Sequence, residues 1–414
     1  MKKKHIITFI TLMLLTGCAT QQNQQEEAIE DNSSEQTEQV EQQEETKQEV
    51  ELTEYSNSED GEHVITESGE YSYVLVTKTG DSDSDSEEAD FYGENSAVFA
   101  TDGSEITITD SEINTDGKHA NAVFSYGEGS VINISDSVIN TTSNNSGGLM
   151  VTGGGTINAE DLNIVTQGNS SAAIRSDRGG GTQNVTGGYY ETNGKGSPVI
   201  YCTADVYVTD AKLVSNVSQG IVIEGKNSVT LTNVELIANN TQKNSDKSDK
   251  YQAIKIYQSM SGDAAVGTAT FSAEGGSITS LNGGMFWVSN TSAVINLNNV
   301  AFTYADEDFL TAEAAGWGKS GSNGGKVTLN ATSQIMEGNI TIDSISSLVF
   351  NLNANSEYTG AINQNDEGGN VSVTIAQSSV WTLTADSYID SLDNYGTINL
   401  NGHSLYVNGV LYEG

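Results

Sequence analysis

NSAVFATDGSEITITDSEINTDGKHA (residues Asn95–Ala120) and NAVFSYGEGSVINISDSVINTTSNNS (residues Asn121–Ser146) follow each other directly and superimpose without a gap. The segments Gly147–Ser171 and Ala172–Ser197 continue the pattern with 25 and 26 residues. Each segment holds three short β-branched runs separated by turn residues, and no apolar periodicity of helical length intervenes. The body of the chain is therefore a repeat structure built from short strands.

Three strands in about 25 residues, with no room for crossover helices, predict a single-stranded parallel β-helix whose coils stack about 4.8 Å apart. We expect about 11–13 coils with a cap at each end. An antiparallel sandwich or a propeller is the alternative, although a propeller blade needs about 40 residues. A column of hydroxyl residues recurs at one phase, and its side chains are expected to bond along the axis as a ladder. The column comprises Thr115, Thr141, Thr166, Thr192 and Ser215.

The repeat texture of residues 61–414 resembles the right-handed parallel β-helix proteins of the pectate-lyase-like class and the adhesin-like repeat proteins of bacterial surfaces. The right hand of the helix is an expectation from this resemblance alone. The resemblance includes no catalytic motif. It implies a β-helix over residues 61–370, followed by final coils and a C-terminal cap over residues 371–414.

Composition restricts the function. The chain has one proline, 43 glycines and a formal net charge of −39. A protein with this much negative charge repels nucleic-acid phosphate and anionic membrane surfaces. We therefore expect no nucleic-acid partner.

The N-terminus reads MKKKHIITFITLMLLTGC, a basic start followed by an apolar run too short to span a membrane. Its end, Leu15-Thr16-Gly17-Cys18, resembles the bacterial lipobox. The resemblance implies a signal peptide over residues 1–17 and a lipid on Cys18. The protein is then exported, anchored to the outer face of the cytoplasmic membrane through that lipid only, and exposed at the cell surface. Residues 18–60, rich in Glu and Gln, are expected to form a disordered tether.

Alternation along the first strand of each coil separates inward from outward residues. The inward set is Val98, Val123, Leu149, Ile174, Val199, Ile221, Ile254 and Leu310. One outward column is Phe99, Phe124, Met150, Arg175, Ile200, Val222, Lys255 and Thr311. A second is Thr101, Tyr126, Thr152, Asp177, Cys202, Glu224, Tyr257 and Glu313.

Both arginines of the chain, Arg175 and Arg178, lie in this outward region beside Asp177. A guanidinium binds carboxylates in a fork geometry, so an anionic sugar such as a uronate suits the patch. Stacking platforms would come from Tyr126, Tyr257 or Trp287, and further polar contacts from Glu224 and Lys255. The alternative is that the arginines only neutralise neighbouring acidic side chains.

An enzyme remains an alternative, because the pectate-lyase-like class includes polysaccharide lyases and hydrolases. Asp177, Glu224 and Arg178 are the catalytic candidates; the two carboxylates are expected about 9.6 Å apart, two coils along the axis. No cofactor is certain, but Ca²⁺ is possible, and the weak metal candidates are Asp81, Asp83 and Asp85. Cys202 lacks a histidine partner and is not expected to act as a nucleophile.

Three functions stay open. We favour a non-catalytic adhesin or carbohydrate-binding lipoprotein. The alternatives are a lyase or hydrolase that acts on acidic, pectin-like polysaccharides, and a structural spacer whose outward column is covered by a loop. The expected partner is a polysaccharide, or a host or cell-surface glycan or protein. The chain is expected to be a monomer.

Overall fold

The computed structural model describes residues 50–82 and 86–414. Residues Thr53–Gly414 form one compact unit; of the other, Met1–Leu52, only residues 50–52 are described. The predicted signal peptide, Cys18 and most of the predicted tether lie outside the described residues. The first strand, Thr53–Asn57, falls within the range assigned to the tether.

Three long sheets, A, B and C, run along the molecule, and two short sheets, D and E, follow near its C-terminal end. Sheet A comprises Thr53–Asn57, Val74–Lys78, Glu112–Thr115, Val138–Thr141, Asn163–Thr166, Tyr189–Thr192, Lys212–Ser215, Glu235–Ala238, Ser277–Ser280 and Ala301–Tyr304. Sheet B comprises Val98–Ala100, Val123–Tyr126, Leu149–Thr152, Ile174–Ser176, Ile200–Cys202, Ile221–Glu224, Gln252–Tyr257, Gly284–Ser289, Asp308–Ala312 and Asn339–Ile342.

Sheet C comprises Gly69–Ser72, Glu105–Thr109, Val131–Ser135, Gly155–Glu160, Gly181–Thr186, Asp205–Thr209, Ser228–Thr232, Thr268–Glu274, Ser292–Asn298, Lys326–Thr332, Ser347–Leu352, Asn370–Ile375 and Ser391–Asn394. Sheet D comprises Ile335–Glu337, Glu357–Thr359, Val380–Thr382 and Thr397–Asn399, and sheet E comprises Ser387–Ile389, Leu405–Val407 and Val410–Leu411. One short helix, Glu87–Phe91, begins at the N-cap Ser86, whose hydroxyl accepts a hydrogen bond from the Ala89 amide.

Each coil up to Asp308–Ala312 passes through sheets C, A and B in turn, and sheet D takes the place of sheet A in the coils that follow. Successive coils pair in parallel. The predicted right-handed parallel β-helix is confirmed, with thirteen strands in sheet C. The antiparallel exception among the described strands is Leu405–Val407 with Val410–Leu411. Asn408 and Gly409 join these two strands with φ of 49° and 73°, the left-handed values that a two-residue hairpin requires.

The corner between sheets C and A is set by one left-handed residue per coil. Asp110, Asp136, Asp161 and Asp210 occupy it with φ between 48° and 54°. Aspartate tolerates this conformation better than most side chains, and glycine replaces it at Gly187 and Gly275. The chain turns within two residues there, so the two strands lie on different faces of one coil.

The predicted hydroxyl ladder is wrong. Thr141, Thr166 and Thr192 donate within their own coil, to carbonyls five residues later, each at 2.6 Å. Thr115 and Ser215 hydroxyls have no partner in the described structure. The threonines point inward at a turn whose carbonyl lies closer than the next coil. Axial side-chain bonds are instead made on the outer surface by asparagines, such as Asn158 to Asn133, Asn184 to Asn158 and Asn351 to Asn330.

Candidate functional site

The outer face of sheet B carries the predicted site, with one change of register. Ile174 pairs with Ile200, so Ile200 points inward and Tyr201 takes the outward place beside Arg175. Cys202 pairs with Ile223 and is buried in the core. Burial raises its pKa to about 12, which leaves the thiol protonated at neutral pH. The expectations for Val199, Ile200 and Cys202 were therefore wrong by one residue.

The corrected outward row, hereafter the outer row, is Phe99, Phe124, Met150, Arg175, Tyr201, Val222, Lys255, Trp287 and Thr311. Most of it is not exposed: Phe124, Met150, Val222, Trp287 and Thr311 are all buried. Segments that leave the coils therefore cover much of this face.

His63 and the segment around the short helix cover the first coils of this face. His63 stacks on Phe99 with ring centroids 4.4 Å apart, and Tyr92 meets Tyr126 edge to face at 5.6 Å. At Gly93, φ is +83° and an added Cβ would lie 2.5 Å from the Phe99 ring. Tyr126, predicted as a stacking platform, already stacks within the chain.

Both arginines are paired internally. Arg175 donates to Asp177 through Nε at 2.9 Å and Nη2 at 2.8 Å. Arg178 lies 2.8 Å from Glu87 and 3.2 Å from Asp263, and its guanidinium sits 3.9 Å from the centre of the Phe91 ring. The arrangement matches the alternative in which the arginines neutralise acidic side chains.

Asp177 and Glu224 are buried at 2% and 0% exposure. Burial raises the pKa of Asp177 to about 7; Arg175 opposes the shift, and the charges of Asp263 and Glu224 add to it. Glu224 accepts hydrogen bonds from the Tyr201 hydroxyl at 2.8 Å, from the Ser259 amide at 3.1 Å and from the Ser259 hydroxyl. Both carboxylates therefore have structural partners.

The middle of the face holds an aromatic cluster separate from the core, formed by Val222, Tyr257, Trp287 and Trp317. Trp317 lies edge to face with Tyr257 at 5.1 Å and with Trp287 at 5.9 Å. It belongs to the insertion 313–325, so this loop roofs the face. Trp287 donates from Nε1 to Glu313 at 2.9 Å and is 1% exposed, which removes it as a free stacking platform.

Lys255 projects into this cluster. Its Nζ lies 3.8 Å from the centre of the Tyr257 ring and 4.0 Å from that of Trp317. Burial lowers its pKa to about 7; Glu224 opposes the shift and the charge of Lys247 adds to it. Among the described residues, no carboxylate forms an ion pair with Lys255.

A cavity of about 170 Å³ opens beside Lys255, hereafter the lysine cavity. Its lining is Gly196, Pro198, Tyr201, Gln219, Val222, Asn240, Lys243, Asn244, Ser245, Ser248, Lys250, Gln252, Lys255, Tyr257 and Trp317. Of the described residues around it, three are lysines and none is acidic. Lys255 and Tyr257 are the predicted ligand-binding residues that it includes; Arg175, Asp177, Arg178, Glu224, Tyr126 and Trp287 are not among its lining.

Two lining amides have unused acceptors. Asn240 and Gln252 are 1% and 3% exposed, and neither Asn240 Oδ1 nor Gln252 Oε1 has a hydrogen-bond partner among the described atoms. Unsatisfied acceptors in a buried position are costly unless something donates to them. The sequence signal for this cavity was the lysine-rich insertion TQKNSDKSDK at residues 241–250, together with Trp317 in a second insertion.

The remaining candidates are not gathered into a site. Among residues 50–82 and 86–414, no group of three or more His, Cys, Asp or Glu side chains is placed to hold a metal. Asp81 accepts a hydrogen bond from the Lys118 amide at 2.7 Å, and Asp83 and Asp85 lie outside the described residues. The catalytic candidates Asp177, Glu224 and Arg178 are held by the internal contacts given above. The described segments also contain no helix of the length and hydropathy needed to cross a bilayer.

Comparison with known proteins adds no relative: no family model, curated protein or solved structure matches the chain.

Proposed function

We propose that this protein is a lipid-anchored, cell-surface β-helix that binds anionic carbohydrate without modifying it, and that the lysine cavity is its binding site. The membrane anchor in this proposal comes from the Leu15-Thr16-Gly17-Cys18 sequence and the acidic spacer after it.

The charge of the lysine cavity carries the proposal. The chain has 56 acidic and 17 basic residues, yet Lys243, Lys250 and Lys255 line one cavity with no carboxylate among the described lining residues. Lys243 lies 3.1 Å from Asp249, whose side chain is fully exposed, and Lys250 lies 3.9 Å from Asp308. The exposed Lys243–Asp249 pair is worth only about 0–1 kcal/mol, so Asp249 competes weakly with an incoming anion.

The rest of the lining suits a sugar ring. Tyr257 and Trp317 line the cavity at 9% and 6% exposure, and with Lys255 over both rings they border a bound sugar without stacking on it. At about 170 Å³ the cavity is smaller than the roughly 300–1,000 Å³ of drug-sized sites, so it fits one sugar unit or a chain end.

A uronate or a sulfated sugar therefore fits better than a neutral one. Its anionic group replaces water around Lys243, Lys250 and Lys255, and its ring lies beside Tyr257 and Trp317. Catalysis is not part of the proposed function, because the candidate acids, Asp177 and Glu224, are occupied by Arg175 and by Tyr201 and Ser259.

Isothermal titration with an oligogalacturonate, against a neutral galactose oligomer of equal length, tests the proposal. We expect binding of the anionic oligomer only, weakened at least tenfold in the Lys243→Gln/Lys255→Gln variant. Lys326→Gln, which removes an exposed lysine from sheet C, is the matched control and should bind as the wild type does. Equal affinity for both oligomers, or wild-type affinity in the double variant, contradicts the proposal.

A further inference from the structure

Sheet A stops before its neighbours do. Its last strand is Ala301–Tyr304, and the strand in the next coil, Ile335–Glu337, begins sheet D without pairing to it. Sheets B and C run on without a break at the same level, since Asp308–Ala312 pairs with Asn339–Ile342 and Ser292–Asn298 pairs with Lys326–Thr332. The coils therefore separate on one side only and leave two strand edges facing each other.

The backbone groups that face this gap follow from strand alternation. The Ala301 amide donates to Gly276 in the preceding coil, so the peptide groups of Phe302 and Tyr304 face the opposite way, into the gap. On the other edge the Glu357 backbone amide donates to the Gln334 carbonyl, so Gln334 faces the following coil. The backbone N–H and C=O groups of Ile335 and Glu337 therefore face the gap.

Side chains bridge both ends of the gap. The Gln334 side-chain amide accepts from the Val300 amide at 2.8 Å and donates to the carbonyls of Val300 and Ile335, each at 2.7 Å. It thus takes the place of one peptide unit of a missing strand. At the other end the Tyr304 hydroxyl donates to the Glu337 carbonyl. Between the two bridges, no described strand pairs with either edge.

A cleft of about 1000 Å³ lies at this place, and its walls include both strand edges. Phe302 lines it from the core side, and Ile335 beside it is 65% exposed. Its charged lining residues, among those described, are Asp306, Glu307 and Glu337, with no basic residue. The cleft thus combines unpaired strand edges, apolar surface and negative charge.

We propose that this cleft binds an extended, lysine- or arginine-bearing peptide segment of a partner protein, which adds as a strand between sheets A and D. The partner's main chain displaces the Gln334 and Tyr304 bridges and supplies the missing ladder. Its inward side chain packs beside Phe302, and its basic residues meet Asp306, Glu307 and Glu337. The acidic tether of this chain would be repelled from the same cleft. The inference is independent of the lysine cavity.

Fluorescence anisotropy with labelled KTVTVTK tests this with the whole described body, Thr53–Gly414, which forms one compact unit. We expect saturable binding that weakens at least tenfold for ETVTVTE and weakens with rising salt. A KTPTPTK peptide, which cannot form the ladder, should not bind. Glu307→Lys/Glu337→Lys should lose affinity for KTVTVTK, whereas the control Glu67→Lys/Glu70→Lys, on exposed positions elsewhere, should not.

Hydrogen exchange of the unchanged protein gives a readout that no variant can confound. The amides of Phe302 and Tyr304 should exchange faster than those of the central strand Lys212–Ser215 and should slow when KTVTVTK is bound. Failure of KTVTVTK to bind, equal binding of the proline peptide, or slow exchange of Phe302 and Tyr304 before any peptide is added would overturn the proposal.

Discussion

Replacing Trp317 by alanine should release the roof over sheet B without unfolding the coils. Trp317 is 6% exposed and contacts Tyr257, Trp287 and Lys255 with the ring distances given above. Truncating a buried tryptophan costs about 3–5 kcal/mol. The loss should act on docking of the loop, because the aromatic cluster is separate from the main core.

Hydrogen exchange by mass spectrometry measures this directly. Since about 1.4 kcal/mol is a factor of ten, residues 313–325 should exchange roughly 100- to 4000-fold faster in Trp317→Ala. Peptides from sheet C should keep their wild-type rates. Trp317→Phe should retain much of the protection, and Tyr395→Ala, at a position 69% exposed, should change neither region.

Unchanged exchange of residues 313–325 in Trp317→Ala would show that Trp317 does not dock the loop. Hydrogen bonds such as that from Asn323 to the Ala315 carbonyl would then hold the loop by themselves. Equal loss of protection in sheet C would refute the prediction in another way, by showing that the roof and the coils unfold together.

Three further predictions follow from buried groups. Affinity for oligogalacturonate should fall as pH rises from 6 to 9, because Lys255, with a pKa of about 7, loses its charge while the sugar carboxylate keeps its own. Isothermal titration at several pH values checks this. The Lys255→Met variant should show no such fall in affinity. Arg175→Met should lower the free energy of unfolding by about 3–5 kcal/mol at pH 8 by leaving the Asp177 carboxylate unpaired. The loss of stability should be smaller at pH 5, because Asp177 is protonated there: its pKa is raised to about 7, and the mutation raises it further. Equal losses at pH 5 and pH 8 in urea melts would contradict this prediction. Gly194→Ala should cost about 1–3 kcal/mol, since its Cβ would lie 1.7 Å from the Gly168 carbonyl oxygen. Gly69→Ala, whose Cβ would come no closer than 3.6 Å to any atom, should cost less in the same melts.

The fold was predictable because one repeat fixes almost every strand. The segments of 25 and 26 residues put the turn glycines and the inward apolar residues at constant phase. The pairing of Val98 with Val123, and of Val123 with Leu149, follows from this phase. The one-residue error at Val199 arose because Val199 and Ile200 are both apolar and fit an inward position equally well. The Ser171 amide donates to the Ser197 hydroxyl at 2.8 Å. Aligning Ser171 with Ser197 would therefore have placed Ile174 opposite Ile200, which is the register observed.

The site was less predictable, since it depends on long-range contacts of insertions. Lys255 and Tyr257 were found through strand alternation, but Trp317 lies 60 residues from Tyr257 in the chain and has no repeat phase. The arginines looked available in the sequence because Asp263 and Glu87, which pair with Arg178, come from a loop and from the short helix. Likewise, nothing in the repeat marks the coil at which sheet A ends.

Crystallographic soaking of the protein with a galacturonate trisaccharide tests the lysine cavity most directly. We predict sugar density in the lysine cavity, with one ring beside Trp317 and Tyr257 and its carboxylate within hydrogen-bond distance of Lys243 or Lys255. Density beside Arg175 and Arg178 with an empty lysine cavity would contradict it, as would no bound sugar at a concentration that saturates binding in solution.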